Sequence, residues 1–259
     1  MILLKFKAWK NTGEIGRLNL VVSGQYNNRQ EFDQKRFASS SNAPQLDLTI
    51  GTGLAEVVWD HFNTGAFRGT IGGSFMYQNN SYERRLFIPN YESTNAGLFV
   101  IEKWTKNKLD LEAGIRFDRK SIFNTTDNGQ VNVYPDRLFN NASGNIGFNY
   151  RFVPAFRVTV NASTAWRAPQ VNELYANGLH HGAARIERGD PTINPERAYS
   201  LLGNLLYNNS KWEIDFGVYN KVISDFIYLK PTYPPLLTIR GAFPAFDFAQ
   251  TVSLMAEII

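Results

Sequence analysis

Phe156-Arg157-Val158-Thr159-Val160-Asn161-Ala162-Ser163-Thr164-Ala165-Trp166 alternates without a break. Phe156, Val158, Val160, Ala162, Thr164 and Trp166 fall on one face, and Arg157, Thr159, Asn161, Ser163 and Ala165 on the other. A period of two is a strand pattern, and this one is about twice the usual strand length. Leu109, Leu111, Ala113, Ile115 and Phe117 oppose Asp110, Glu112, Gly114, Arg116 and Asp118 in the same way, as do Trp212, Ile214, Phe216 and Val218 against Lys211, Glu213, Asp215 and Gly217. A wet face sustained over about 10 residues suits the lumen of a membrane barrel, where the opposite face meets lipid.

Working outward, the same reading predicts about eleven strands: Leu3 to Lys10, Arg17 to Asn27, Leu46 to Trp59, Phe67 to Gln78, Gly97 to Trp104, Lys108 to Arg119, Ser143 to Arg151, Phe156 to Arg167, Ala198 to Asn208, Lys211 to Leu229 and Leu237 to Thr251. The joins between them alternate without exception between short and long. Connections of one kind must then share one end, as the tight turns and long loops of outer-membrane barrels do. The expectation is an all-β, antiparallel, up-and-down transmembrane barrel fragment forming an open curved sheet over residues 1–251. Phe156, Val158, Val160 and Trp166 are expected on its convex side, with Arg157, Asn161 and Ser163 on the concave side. Trp104 and Trp212 adjoin short turns and Trp166 a long loop, as interface aromatics would.

Composition narrows the function classes. The 259 residues show no linker and hold no cysteine, so a disulfide framework and thiolate metal sites are excluded. Mean hydropathy is −0.30 and no apolar run is long enough for a membrane helix, which leaves a β span open. Net charge is +4, but Lys and Arg are spread over every strand and loop, so nucleic acid is not an expected partner. No nucleophile and base stand together in the sequence, and neither an enzyme nor a resident cofactor is expected.

The longest connection, 168–197, is the candidate functional segment. Its entry reads Trp166-Arg167-Ala168-Pro169-Gln170-Val171-Asn172-Glu173-Leu174-Tyr175 and its return Gly189-Asp190-Pro191-Thr192-Ile193-Asn194-Pro195-Glu196. Pro169 has no backbone donor and pushes Ala168 to extended geometry, so the strand ends at Arg167. A loop this long is uncommon unless functional or disordered. Adjacent His180 and His181 are candidate ligands for a metal ion or haem iron, although neighbours in an extended segment point opposite ways. Glu173, Glu187 and Asp190 are candidate ligand contacts, with solvation or turn capping as the plainer role.

These two segments resemble the barrel of TonB-dependent outer-membrane receptors, whose late strands carry an aromatic-Arg-Ala-Pro element, an Asn-Glu-Leu-Tyr-like stretch and a Gly-Asp-Pro-x-Leu-x-Pro-Glu-like return. Looser likeness runs through 96–118 and 225–229. The resemblance implies a plugged barrel of about 22 strands. Such a barrel sits in the outer membrane of a Gram-negative bacterium, surrounded by its lipid, and takes up an iron chelate (siderophore), haem or another metal complex with energy delivered through TonB. Haem receptors of the family carry an Asn-Pro-Asn-Leu element where Asp190-Pro191-Thr192-Ile193 stands here.

With about eleven strands and no plug-like segment, the chain is expected to be an internal piece of such a receptor, with TonB contact lying in an N-terminal plug region. Val252 to Ile259 lacks sustained alternation and is expected to be an atypical tail read across a frameshift or gene break. Two other readings stand beside this one: a passive porin-like or structural barrel, and a soluble β-sheet binding protein or enzyme. A plug-like upstream coding segment separates the first alternative, and solubility without detergent the second.

Overall fold

The computed structural model describes every residue except 12–15, 33–43, 126–133, 239–240 and 259. In chain order the elements are β1 (Ile2–Asn11), β2 (Arg17–Glu31), β3 (Leu46–Thr64), β4 (Phe67–Arg84), β5 (Tyr91–Lys106), β6 (Leu109–Asn124), β7 (Arg137–Val153), β8 (Phe156–Arg167), helix α1 (Val171–Tyr175), β9 (Asn177–His180), β10 (Arg185–Arg188), β11 (Glu196–Asn208), β12 (Glu213–Thr238) and β13 (Gly241–Ile258). They form one open sheet in the order β1-β2-β3-β4-β5-β6-β7-β8-β11-β12-β13-β10-β9. Among the described residues that makes thirteen strands rather than about eleven, the extra two being the four-residue β9 and β10 inside the long connection. The wall itself keeps eleven strands, each antiparallel to its neighbours.

Register defines two faces. Directly paired residues share a face, and one row across the wall reads Arg17, Asp60, Thr70, Ile101, Gly114, Asn145, Ser163, Ser200, Lys221. The row one residue along reads Leu18, Trp59, Ile71, Val100, Ile115, Gly144. The second face is apolar and bare: Leu98 is 71% exposed, Ile146 61% and Ile115 60%. Soluble proteins rarely expose such a contiguous apolar surface. An apolar outer face over a polar inner one is the inside-out arrangement that lipid demands. Among the described residues no helix is long and apolar enough to cross a membrane.

Short turns gather at one end. Gly65 (φ 67°) and Asn107 (φ 54°) take the left-handed conformation there, which suits the tight turns after β3 and β5. Longer connections gather at the other end, where Phe87 and Ile88 (between β4 and β5), Tyr134 (between β6 and β7) and Leu174 and Ile193 (between β8 and β11) share one apolar cluster. Its floor is Leu46, Leu48, Tyr91, Ile122 and Phe139, all on the inner face by register. The core of the chain is thus a cap at the loop end of the inner face, below which that face is polar.

The strands outrun several sequence-based bounds on the loop side. β5 begins at Tyr91 rather than Gly97, β7 at Arg137 rather than Ser143, and β12 runs 26 residues to Thr238. Polar side chains do not interrupt backbone pairing, so alternation fades before the ladder does. The rule of alternating joins fails at its last member, because β12 and β13 pair up to Thr238 and Gly241. At the other end of β13, pairing with β12 continues from Ser253 to Ile258, so the ladder persists through a stretch whose sequence does not alternate.

Candidate functional site

The long connection folds inward over the polar face, and its motif residues explain how. Arg167, the last residue of β8, donates from Nη1 to Glu173 Oε2 at 2.8 Å and from Nε to Glu196 Oε2 at 2.7 Å. The other Glu196 oxygen accepts the Ile227 amide at 2.8 Å. One guanidinium therefore ties the first residues of the loop to the strand that ends it. Glu173 also closes a capping box, accepting the Gln170 amide at 2.7 Å.

Gly189 passes so close to α1 that a Cβ would lie 2.5 Å from the Leu174 carbonyl carbon. Its amide donates to Ala176 O at 2.7 Å. Asp190 Oδ1 accepts the Thr192 amide at 2.8 Å, an Asx turn that starts the return. Pro169, Leu174 and Ile193 are fully buried beneath it. Tyr175 donates its hydroxyl to Pro135 O, and burial pushes its phenol up to about 12, so it stays a donor throughout the physiological range.

Beyond α1 the hairpin of β9 and β10 reaches across the mouth. β10 runs parallel to β13 through Ile186↔Ala245, and the Asn177 amide donates to Phe87 O at 2.9 Å. Glu31, at the end of β2, accepts the Gly182 amide at 2.9 Å. His180 stands at this junction: Nδ1 lies 2.9 Å from Glu187 Oε1, Nε2 lies 2.8 Å from Arg29 Nη2, and the ring leans on Phe87. Arginine only donates, so Nε2 of the neutral ring accepts and Nδ1 carries the proton toward Glu187. Glu187, with 3% of its side chain exposed, is also bonded to Arg185 at 2.6 Å. Direct metal ligation by His180 would have to displace Arg29 or Glu187. His181 opens a 3-10 turn, His181–Ala183, and its side chain lies outside the described residues. Among the described residues no group of three or more metal-ligating side chains converges.

The structure brings together Arg167, Glu173 and Glu196, and separately His180 and Glu187, while Asp190 serves its own turn. Sequence reasoning missed the partners of the second group. Arg29 and Glu31 lie 151 residues from His180 and Gly182, too far for any local pattern to signal. It also missed a cleft of about 430 Å³ on the inner face, lined by Asn95, Arg116, Asp118, Lys120, Trp166 and Gln170 among others. Trp166 corrects the expectation of an outward ring. Its Nε1 donates to Asp118 Oδ2 at 3.3 Å and the ring packs against the cap cluster. β8 loses β7 as a partner after Ser163, and that frees Trp166 to turn inward at the cleft. Asp118 is 4% exposed and also takes Arg116 Nε at 2.8 Å.

The family described as TonB dependent receptor-like, beta-barrel matches residues 5–251. The chain belongs to that family. Among solved structures it is similar to the copper transporter OprC, with a TM-score of 0.74 at 17% identity over 98% of this chain and 42% of that one. It is also similar to the FrpB iron transporter from Neisseria meningitidis, with a TM-score of 0.67 at 15% identity over 98% of this chain and 39% of that one. A third likeness is to the Serratia marcescens hemophore receptor HasR, solved with its hemophore HasA and heme, with a TM-score of 0.62 at 14% identity over 98% and 47%. At these identities the likeness shows the fold, and the chain spans less than half the length of each.

Proposed function

We propose that this chain is part of the wall and mouth of an outer-membrane receptor of a Gram-negative bacterium, one that actively takes up an iron chelate (siderophore), haem or another metal complex. It acts as a transporter component and not as an enzyme. Outer-membrane lipid meets the apolar face, and TonB is engaged by a plug region outside these strands. The observation that carries this reading is the long connection folded over the inner face, which narrows the mouth of a polar-lined wall. A passive pore needs an open lumen; a receptor needs a closed site in which to hold its cargo.

The test is uptake by cells carrying the full-length receptor, grown with ferric siderophores, haem or copper as the limiting metal source. Entry of one of these should require the receptor and stop when a protonophore collapses the inner-membrane energy. Entry that follows its gradient and ignores the protonophore would establish the passive barrel instead.

The mouth residues His180, His181, Glu173, Glu187 and Asp190 belong to this site, and within it His180 serves to hold the β9–β10 hairpin against Arg29 and Glu187. His180→Ala is therefore expected to weaken surface binding of the native cargo, and His180→Gln, which keeps a polar side chain of similar reach, to restore much of it. If glutamine is as damaging as alanine while the hairpin stays protected from protease, the imidazole is a ligand in its own right.

A further inference from the structure

Lys120 is the one inner-wall cation of the cleft that carries no hydrogen bond or ion pair among the described residues, whereas Arg116 is held by Asp118 and Arg167 by Glu173 and Glu196. Lys120 stands opposite Asn95 on β5 and Phe139 on β7. It therefore sits directly beneath the apolar cap, of which Phe139 and Ile122 are part. It feels Glu173 and Arg167 electrostatically, but Glu173 is already bonded to Arg167 and to the Gln170 amide. Asn95 Oδ1 is buried with no hydrogen-bond partner, whereas its Nδ2 is not among the buried atoms, so the donor end of the amide is the accessible one. A half-buried ammonium with no hydrogen bond or ion pair of its own is a costly feature, stabilised when a charged acceptor arrives. Ser143 and Gln170 line the same cleft and add a hydroxyl and a second amide.

We propose that Lys120 and Asn95 form a subsite for an oxyanion of a small molecule, of the carboxylate type, inside the lumen. Lys120 supplies the charge, the Asn95 amide nitrogen donates, and Trp166 and Gln170 wall the cleft beside them. This deepens the receptor reading by giving the cargo a chemical handle: a chelate with at least one free or metal-bridging carboxylate. A neutral complex would leave Lys120 uncompensated.

The probe is citrate, titrated at constant ionic strength into the purified full-length receptor in detergent and followed by tryptophan fluorescence. Saturable quenching is expected, lost in Trp166→Phe as a signal and weakened about ten- to a hundredfold in Lys120→Met, the range set by one charged hydrogen bond. Lys120→Arg should keep most of the affinity. A second measurement needs no variant: citrate should slow acylation of Lys120 in the native receptor, read by mass spectrometry against Lys5 and Lys7 of β1, which lie outside the cleft. Equal citrate affinity in Lys120→Met, or acylation of Lys120 indifferent to citrate, overturns the subsite. Neither readout requires transport, so a failed subsite with intact energised uptake leaves the receptor reading standing, and the converse result separates them the other way.

Discussion

Arg167→Met should open the long connection to protease while leaving the wall intact. The guanidinium serves two carboxylates whose side chains are only 12% and 13% exposed, Glu173 and Glu196. Removing it strands both, and the Glu173 side chain is at the same time the cap of α1. Losing charge-assisted hydrogen bonds at a half-buried site costs on the order of 2–3 kcal/mol. That cost falls on local loop order, because β8 and β11 remain paired along their length. Trypsin cleavage at Arg185 and Arg188 is the readout, expected to rise at least about tenfold. Arg167→Lys should fall between, since an ammonium cannot fork to both carboxylates. Protease resistance equal to the parent's would show that the motif arginine is not what pins the loop.

Ile115→Lys should block membrane assembly. Ile115 is 60% exposed in the middle of β6, on the row with Val100 and Ile71. A lysine near the bilayer midplane costs about 2–4 kcal/mol on the lipid face of a barrel. The matched control is Asn161→Lys, on the inner face of β8 opposite Gly147 and Leu202. Yield of heat-modifiable barrel in outer membranes should collapse for the first and hold for the second. Equal yields would mean that neither face meets lipid, and collapse of the second alone would mean the faces have been assigned the wrong way round.

The wall was legible because its two environments repeat every second residue, as in Leu109 to Asp118. So was the position of the loop end, since Pro169 and Pro195 punctuate the strands beside it. What lay outside sequence reach depends on long-range contact. Nothing near His180 announces Arg29, and nothing near Lys120 distinguishes it from any other wet residue of an alternating strand. Trp166 obeyed the sequence pattern but not the structure, because alternation presumes two neighbouring strands and β8 keeps only β11 at that level. β12 shows a related limit. Residues 230–236, with three prolines, fell between two expected strands, yet β12 runs through them with a register shift between Thr232 and Leu236.

These strands contain no cysteine, so with any cysteine elsewhere in the full-length receptor replaced, a single thiol introduced here is read without background. The most direct measurement is a cysteine scan along β6, from Leu111 to Asp118, in the full-length receptor embedded in outer membranes. Each variant is probed with a water-borne thiol reagent and with a lipid-soluble quencher. The account predicts a period of two: positions 111, 113, 115 and 117 answer to the lipid probe, and positions 112, 114, 116 and 118 answer to the aqueous one. Uniform aqueous labelling, or a lipid response at the positions of Glu112, Arg116 and Asp118, would contradict it.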